Sequence, residues 1–128
     1  METKVGADIS EAASLLRAGQ LVAIPTETVY GLAGNGLDTR ALASIFAVKE
    51  RPAFDPLILH TDTLDKVAAL VTAIPLTVRK LAEQFSPGPL TFILPRMPAV
   101  PDLATAGKPT VAIRIPDHPA TVQLLRKL

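Results

Sequence analysis

The sequence contains no cysteine, and its aromatic content is only 4%. The first absence excludes a disulfide framework and thiolate metal sites, and it fits a reducing compartment. The second means that any core must be assembled mainly from Leu, Val, Ile and Ala. Charge of one sign is also missing. The formal net charge is +1 and the pI is about 8.1, too balanced for a whole-domain nucleic-acid signal, although a local basic patch stays open. No run approaches the roughly 18 apolar residues of a membrane span, and the N-terminus has no long apolar leader core. The expectation is a soluble, cytoplasmic protein with no membrane partner. There is no G-x-S-x-G nucleophile motif, no phosphate loop ending in Lys-Ser/Thr, and no dinucleotide fingerprint. With only His60 and His118 and no thiolate, no transition-metal cage is expected.

What is present is apolar and punctuated. The 128 residues are 48% hydrophobic and include 12 prolines, which suits one domain with a real core and abrupt element ends. No repeat or low-complexity linker divides the chain, so residues 1–128 read as a single domain. The pattern predicts a helix over Ser10–Ala18, a strand over Leu21–Ile24 and a helix over Thr39–Val48 capped by Asp38. A short strand at Leu57–His60 and a helix to about Val71 follow. Another helix runs from Pro75 to about Phe85, with Val78, Leu81 and Ala82 inward. Ser86-Pro87-Gly88-Pro89 breaks it. Strands follow over Leu90–Leu94 and Thr110–Ile115, separated by a loop over Met97–Pro109. A last helix is capped by Asp117 and turns Val122, Leu125 and Leu128 inward. This order implies an α/β fold, with helices packed on a mixed open sheet.

Polar chemistry gathers around Leu21–His60. Thr26, Glu27, Thr28 and Tyr30 follow an apolar strand directly. Hydroxyls at a strand end can hold a small polar ligand, or they can bond their own turn. Gly31, Gly34 and Gly36 allow positive φ and close backbone approach. Lys49 and Arg51 end the amphipathic helix. They can complement the helix macrodipole, or act as a phosphate clamp in which Arg supplies a fork and Lys a point charge. His60 closes an apolar strand and is either a structural hydrogen-bonder or a site residue. Arg114 alternates with Ile113 and Ile115, and an arginine set into a sheet needs an anion, from the protein or from a ligand. Thr91 is the polar position near the start of the neighbouring strand, where β propensity alone would also accept it.

Taken together, "GQLVAIPTETVYGLAGNGLD", "IFAVKERPAFDPLILH", "FSPGPLTFILP" and "TVAIRIPDHP" resemble the successive signatures of the Sua5/YrdC/YciO family, the L-threonylcarbamoyladenylate synthases. The resemblance runs from about Ala18 to the end. It implies a twisted open α/β sheet with a positively lined concave cleft. It also implies a tRNA-modification enzyme that joins L-threonine, bicarbonate and ATP into threonylcarbamoyl-adenylate and releases pyrophosphate. A transfer complex would then deliver the group to adenosine 37 of tRNA. By position, Lys49 and Arg51 match the Lys-x-Arg pair that binds ATP phosphates and acts in catalysis, and Thr91 falls near the nucleotide. Thr26, Tyr30, His60 and Arg114 match threonine-binding positions, Arg114 toward the carboxylate. ATP enters as substrate, with Mg²⁺ accompanying it, and no protein metal site is expected. Double-stranded RNA or tRNA binding and a homodimer are further implied possibilities. Two departures stand out. Asp55 occupies a position where the family has Asn. The family's Ser-x-Asn segment lies beyond Leu128, so the chain is expected to carry the N-terminal two-thirds of the family's domain. The rival reading is a non-catalytic RNA- or nucleotide-binding domain of the same fold.

Overall fold

The computed structural model describes residues 5–25, 30–50, 52 and 56–128. Eleven elements follow one another among the described residues. They are α1 (Ile9–Arg17), β1 (Val22–Pro25), β2 (Tyr30–Ala33), α2 (Thr39–Lys49), β3 (Ile58–His60), α3 (Leu64–Ala68), α4 (Leu76–Phe85), β4 (Thr91–Pro95), α5 (Asp102–Thr105), β5 (Thr110–Arg114) and α6 (Pro119–Arg126).

The strands form two sheets. β1 and β2 make an antiparallel hairpin, with Val22 opposite Ala33 and Pro25 opposite Tyr30. In the other sheet β5 is central, parallel to β3 and antiparallel to β4. The α/β class and the mixed sheet agree with the sequence. Two elements were not legible there. β2 lies where the pattern predicted no strand, because Tyr30–Ala33 is short and glycine-containing. α5 is one short turn of helix inside the expected Met97–Pro109 loop.

Local chemistry explains the element starts. Asp38 accepts from the backbone N–H of Arg40 at 3.0 Å and of Ala41 at 3.4 Å, capping α2 as expected. Asp8 caps α1 through Glu11 N–H. Thr63 caps α3 through Lys66 N–H at 3.3 Å. Pro75 is the residue before α4 rather than part of its first turn. α6 departs from expectation. His118, not Asp117, caps it, with Nδ1 accepting from Ala120 N–H at 3.3 Å. Its buried side chains are Thr121 and Leu124. Leu128 is exposed, because the inward face is set one residue back from the apolar series. α3 stops at Ala68, and Val71 instead forms an isolated bridge with Arg96.

One side of the β3–β5–β4 sheet faces the main core. Leu59, Ile113 and Phe92 stand in register and are all buried, together with Leu42, Val67, Val100 and Val111. Residues one step along each strand must point the other way. Accordingly Ile93 is 70% exposed and Ile58 41%. The hairpin packs separately: Val22, Ile24 and Ala33 lie against Ala13, Leu16 and Leu124 of α1 and α6.

Candidate functional site

Strand register builds the site. His60, the last residue of β3, lies opposite Arg114, the last of β5. Arg114 lies opposite Thr91, the first of β4. β3 and β5 are parallel and β4 runs against them, so the three residues form one row at the carboxyl end of the parallel pair. Open α/β sheets bind ligands outside that end. The row lies on the face turned away from Leu59, Ile113 and Phe92. Period-two alternation in Thr110–Arg114 dictates that placement.

Arg114 is half-buried. Its Nε and Nη2 both donate to Thr91 Oγ1, at 3.1 and 3.0 Å. It makes no ion pair with an acid among the described residues. A threonine hydroxyl fixes the guanidinium plane without neutralising its charge. The remaining N–H donors suit a planar, doubly oxygenated anion, the geometry of a carboxylate or phosphate. His60 donates from Nδ1 to the carbonyl of Ile58 at 3.2 Å. A carbonyl can only accept, so in this contact the ring carries a proton on Nδ1.

The loops around this end are tied to the strands. Thr61 N–H donates to Arg114 O at 3.1 Å, and Gly88 N–H donates to Ile115 O at 2.8 Å. The Ser86–Pro87 peptide is cis. Ser86 Oγ is buried with no hydrogen-bond partner among the described residues. Asp62 is largely buried and pairs with Lys66 at 2.7 Å. Lys66 also donates to Leu125 O at 3.2 Å, which ties α3 to the end of α6.

The other sequence-derived candidates stand elsewhere. Lys49 is the last residue of α2, exposed and without an ion pair among the described residues. Glu50 follows in the left-handed conformation (φ 52°) and stops the helix. Tyr30 opens β2 and is 75% exposed. Among the described residues its side chain makes no hydrogen bond to the row. Thr26, Arg51 and the Asp55 departure lie outside the described residues. Of the glycines expected to admit positive φ, neither Gly34 nor Gly36 has it; both serve close approach instead. A Cβ on Gly34 would lie 2.9 Å from Leu21 Cδ2, and one on Gly36 would lie 2.6 Å from Leu59 Cδ2. Among the described residues no cluster of three or more His, Asp or Glu could hold a metal ion. No described helix is long and apolar enough to cross a membrane.

Sequence reasoning found each member of the row but not the row itself. Its signal was spacing in register: a polar residue ends each of two parallel strands and begins the antiparallel one. Sequence reasoning also missed Thr121, which is buried and donates through Oγ1 to the carbonyl of Pro25.

Comparison with known proteins agrees with the α/β fold described above. The model of the Sua5, YciO and YrdC family, described as "Telomere recombination", matches residues 14–128. The threonylcarbamoyl-AMP synthase of Pyrococcus abyssi is 46% identical over 114 residues, covering 89% of this chain and 34% of that protein. That of Bacillus subtilis is 45% identical over 120 residues, covering 93% and 35%. A crystal structure of Pyrococcus abyssi Sua5 complexed with L-threonine superposes with a TM-score of 0.92 at 43% identity, over 98% of this chain and 37% of that one. The chain thus spans about a third of the length of these relatives.

Proposed function

The chain belongs to the Sua5/YciO/YrdC family, and on that premise we propose that it takes part in forming threonylcarbamoyl-adenylate from L-threonine, bicarbonate and ATP, with release of pyrophosphate. One observation carries the reading. Arg114 is held rigidly by Thr91 with its charge unanswered by any described acid, beside His60 at the ligand-binding end of the sheet. The threonine carboxylate is an anion of the right shape for that fork. The amino-acid ligand named for the Pyrococcus abyssi structure supports the same choice.

Each residue then has a task. Arg114 neutralises and orients the carboxylate. His60, opposite Arg114 in the row, would line the threonine pocket. Tyr30, which opens β2 of the hairpin, would add a contact, and so would Thr26. Lys49 and Arg51 would bind ATP phosphates and offset the charge that gathers at the α-phosphorus as pyrophosphate leaves. Catalysis of this kind is mostly alignment, with the carbamate held in line with the leaving group. Thr91 was expected near the nucleotide, but its hydroxyl oxygen already accepts twice from Arg114, which supports a share in threonine binding instead.

Magnesium would arrive with ATP as part of the substrate. It usually keeps several waters and takes few protein ligands besides phosphate oxygens, so the lack of a carboxylate cluster among the described residues is compatible with that role. The chain would supply the N-terminal two-thirds of the family's domain and work in the cytoplasm, with a transfer complex carrying the product to tRNA. RNA binding and a homodimer are further parts of the proposal. The test is ATP–pyrophosphate exchange by the 128-residue chain. Exchange that requires both threonine and bicarbonate supports the reading. Threonine and ATP binding with no exchange would favour a non-catalytic nucleotide-binding domain, a reading that the partial span of the relatives makes worth separating.

A further inference from the structure

A buried hydroxyl outside the row ties the β1–β2 hairpin to α6. Thr121 lies on α6, is 1% exposed, and donates from Oγ1 to the backbone carbonyl of Pro25. Pro25 is the last residue of β1 and lies opposite Tyr30, the first of β2. The bond therefore grips the hairpin at the end that carries Tyr30. From Thr121 back to Arg114 the chain is held at several points. His118 caps α6. Ile115 and Pro116 are buried. Gly88 N–H holds the carbonyl of Ile115, and Thr61 N–H holds that of Arg114. One short, stiff arm carries the guanidinium at one end and the hairpin tether at the other.

Apolar packing alone would not set this relationship. Val22, Ile24 and Ala33 press on Leu124, one helical turn along from Thr121 and on the same face. Such contact is non-directional and leaves the hairpin able to slide along α6. A hydrogen bond has a defined direction, and it removes that freedom.

We infer that Thr121 is a positioning residue that fixes the β1–β2 hairpin, and Tyr30 with it, relative to Arg114. The inference rests on the proposed threonine-binding role of Arg114 and Tyr30. Thr121 touches no substrate; it acts through Pro25.

Thr121→Val removes the donor and keeps the shape, Thr121→Ser keeps the donor, and Thr121→Ala is a second hydroxyl-free variant should the valine chain not fold. Hydrogen–deuterium exchange of the hairpin amides, with the β4–β5 amides as internal reference, reads the tether without ligand. Calorimetric titration with L-threonine reads its consequence. The sequence has one tyrosine and no tryptophan, so intrinsic fluorescence reports Tyr30 alone. Thr121→Val should speed hairpin exchange and weaken threonine binding, each by about tenfold, the scale of one lost hydrogen bond. Tyr30 emission intensity should change, the β4–β5 amides should be unchanged, and Thr121→Ser should behave as wild type. Unchanged threonine affinity in the valine and alanine chains, whether or not hairpin exchange quickens, overturns the positioning role alone. A wild-type chain that binds no threonine overturns the proposed function, and the positioning role with it.

Discussion

Arg114 spends two of its N–H donors on a single neutral oxygen, Thr91 Oγ1, at 3.1 and 3.0 Å. An arginine inside a protein normally meets a carboxylate, because an unanswered charge in partial burial is costly. Here the sheet supplies orientation and leaves charge compensation to something else. A hydroxyl is well suited to that division of labour: it aligns the fork without competing for its charge.

Thr91→Val therefore separates two roles. If Thr91 orients Arg114, L-threonine affinity should fall by roughly three- to tenfold, about 1 kcal/mol for one hydrogen-bonding partner, while ATP affinity stays constant. If Thr91 instead contacts the nucleotide, the ATP constant moves and the threonine constant does not. Parallel titrations with the two ligands decide it. Arg114→Lys should lose more threonine affinity than Thr91→Val, since a point charge cannot reproduce the fork.

Lys49 and Arg51 test the phosphate side. Each alanine variant should weaken ATP binding by roughly ten- to a hundredfold, matching the ~1.5–3 kcal/mol of a hydrogen bond to a charged group, with little change in melting temperature. Lys49 ends α2, where a cation on a helix C-terminus contributes only about 0.3–1 kcal/mol. Unaltered ATP titrations with a lowered melting temperature would mean that Lys49 merely serves its helix.

Which features were readable from sequence follows from the range of the forces involved. Strand β5 was evident because Val111, Ile113 and Ile115 alternate with polar neighbours, and that alternation comes directly from the pleat. Asp38 was readable as a cap because capping is decided within one turn. The face of α6 was misjudged because the choice between Leu124 and Leu125 depends on where α1 and β1 lie, and nothing local encodes that. β2 was hidden for a similar reason: Tyr30–Ala33 is a strand because Val22–Pro25 pairs with it, not through its own composition. The site showed the same split. His60, Arg114 and Thr91 were each visible as candidates, but their row depends on cross-strand register, a long-range quantity.

Gly36 should resist enlargement. A Cβ there would sit 2.6 Å from Leu59 Cδ2, and Leu59 is a buried core residue directly before His60. Gly36→Ala should cost about 1–3 kcal/mol, the usual range for overpacking, and lower the denaturant midpoint. Leu59→Val in the same chain should recover part of the loss by shortening the side chain that collides. Independent, additive effects of the two substitutions would mean that the strain is relieved elsewhere.

The two faces of the central sheet make the sharpest stability contrast. Ile113 is fully buried and Ile93 is 70% exposed, although each is an isoleucine in a paired strand of one sheet. Truncating Ile113 to Ala leaves a cavity between Leu59 and Phe92, its neighbours in register, and should cost about 2–5 kcal/mol. Truncating Ile93 removes atoms that already meet water and should cost within about 0.5 kcal/mol. Chemical denaturation of the two variants measures the difference directly. The contrast bears on the site as well as on stability. Register places Arg114 and Thr91 on the same face as Ile93, and the row is available to a ligand only if that face is open. Comparable losses in the two variants would mean that Ile93 is covered in solution, and the His60–Arg114–Thr91 row would then be covered with it.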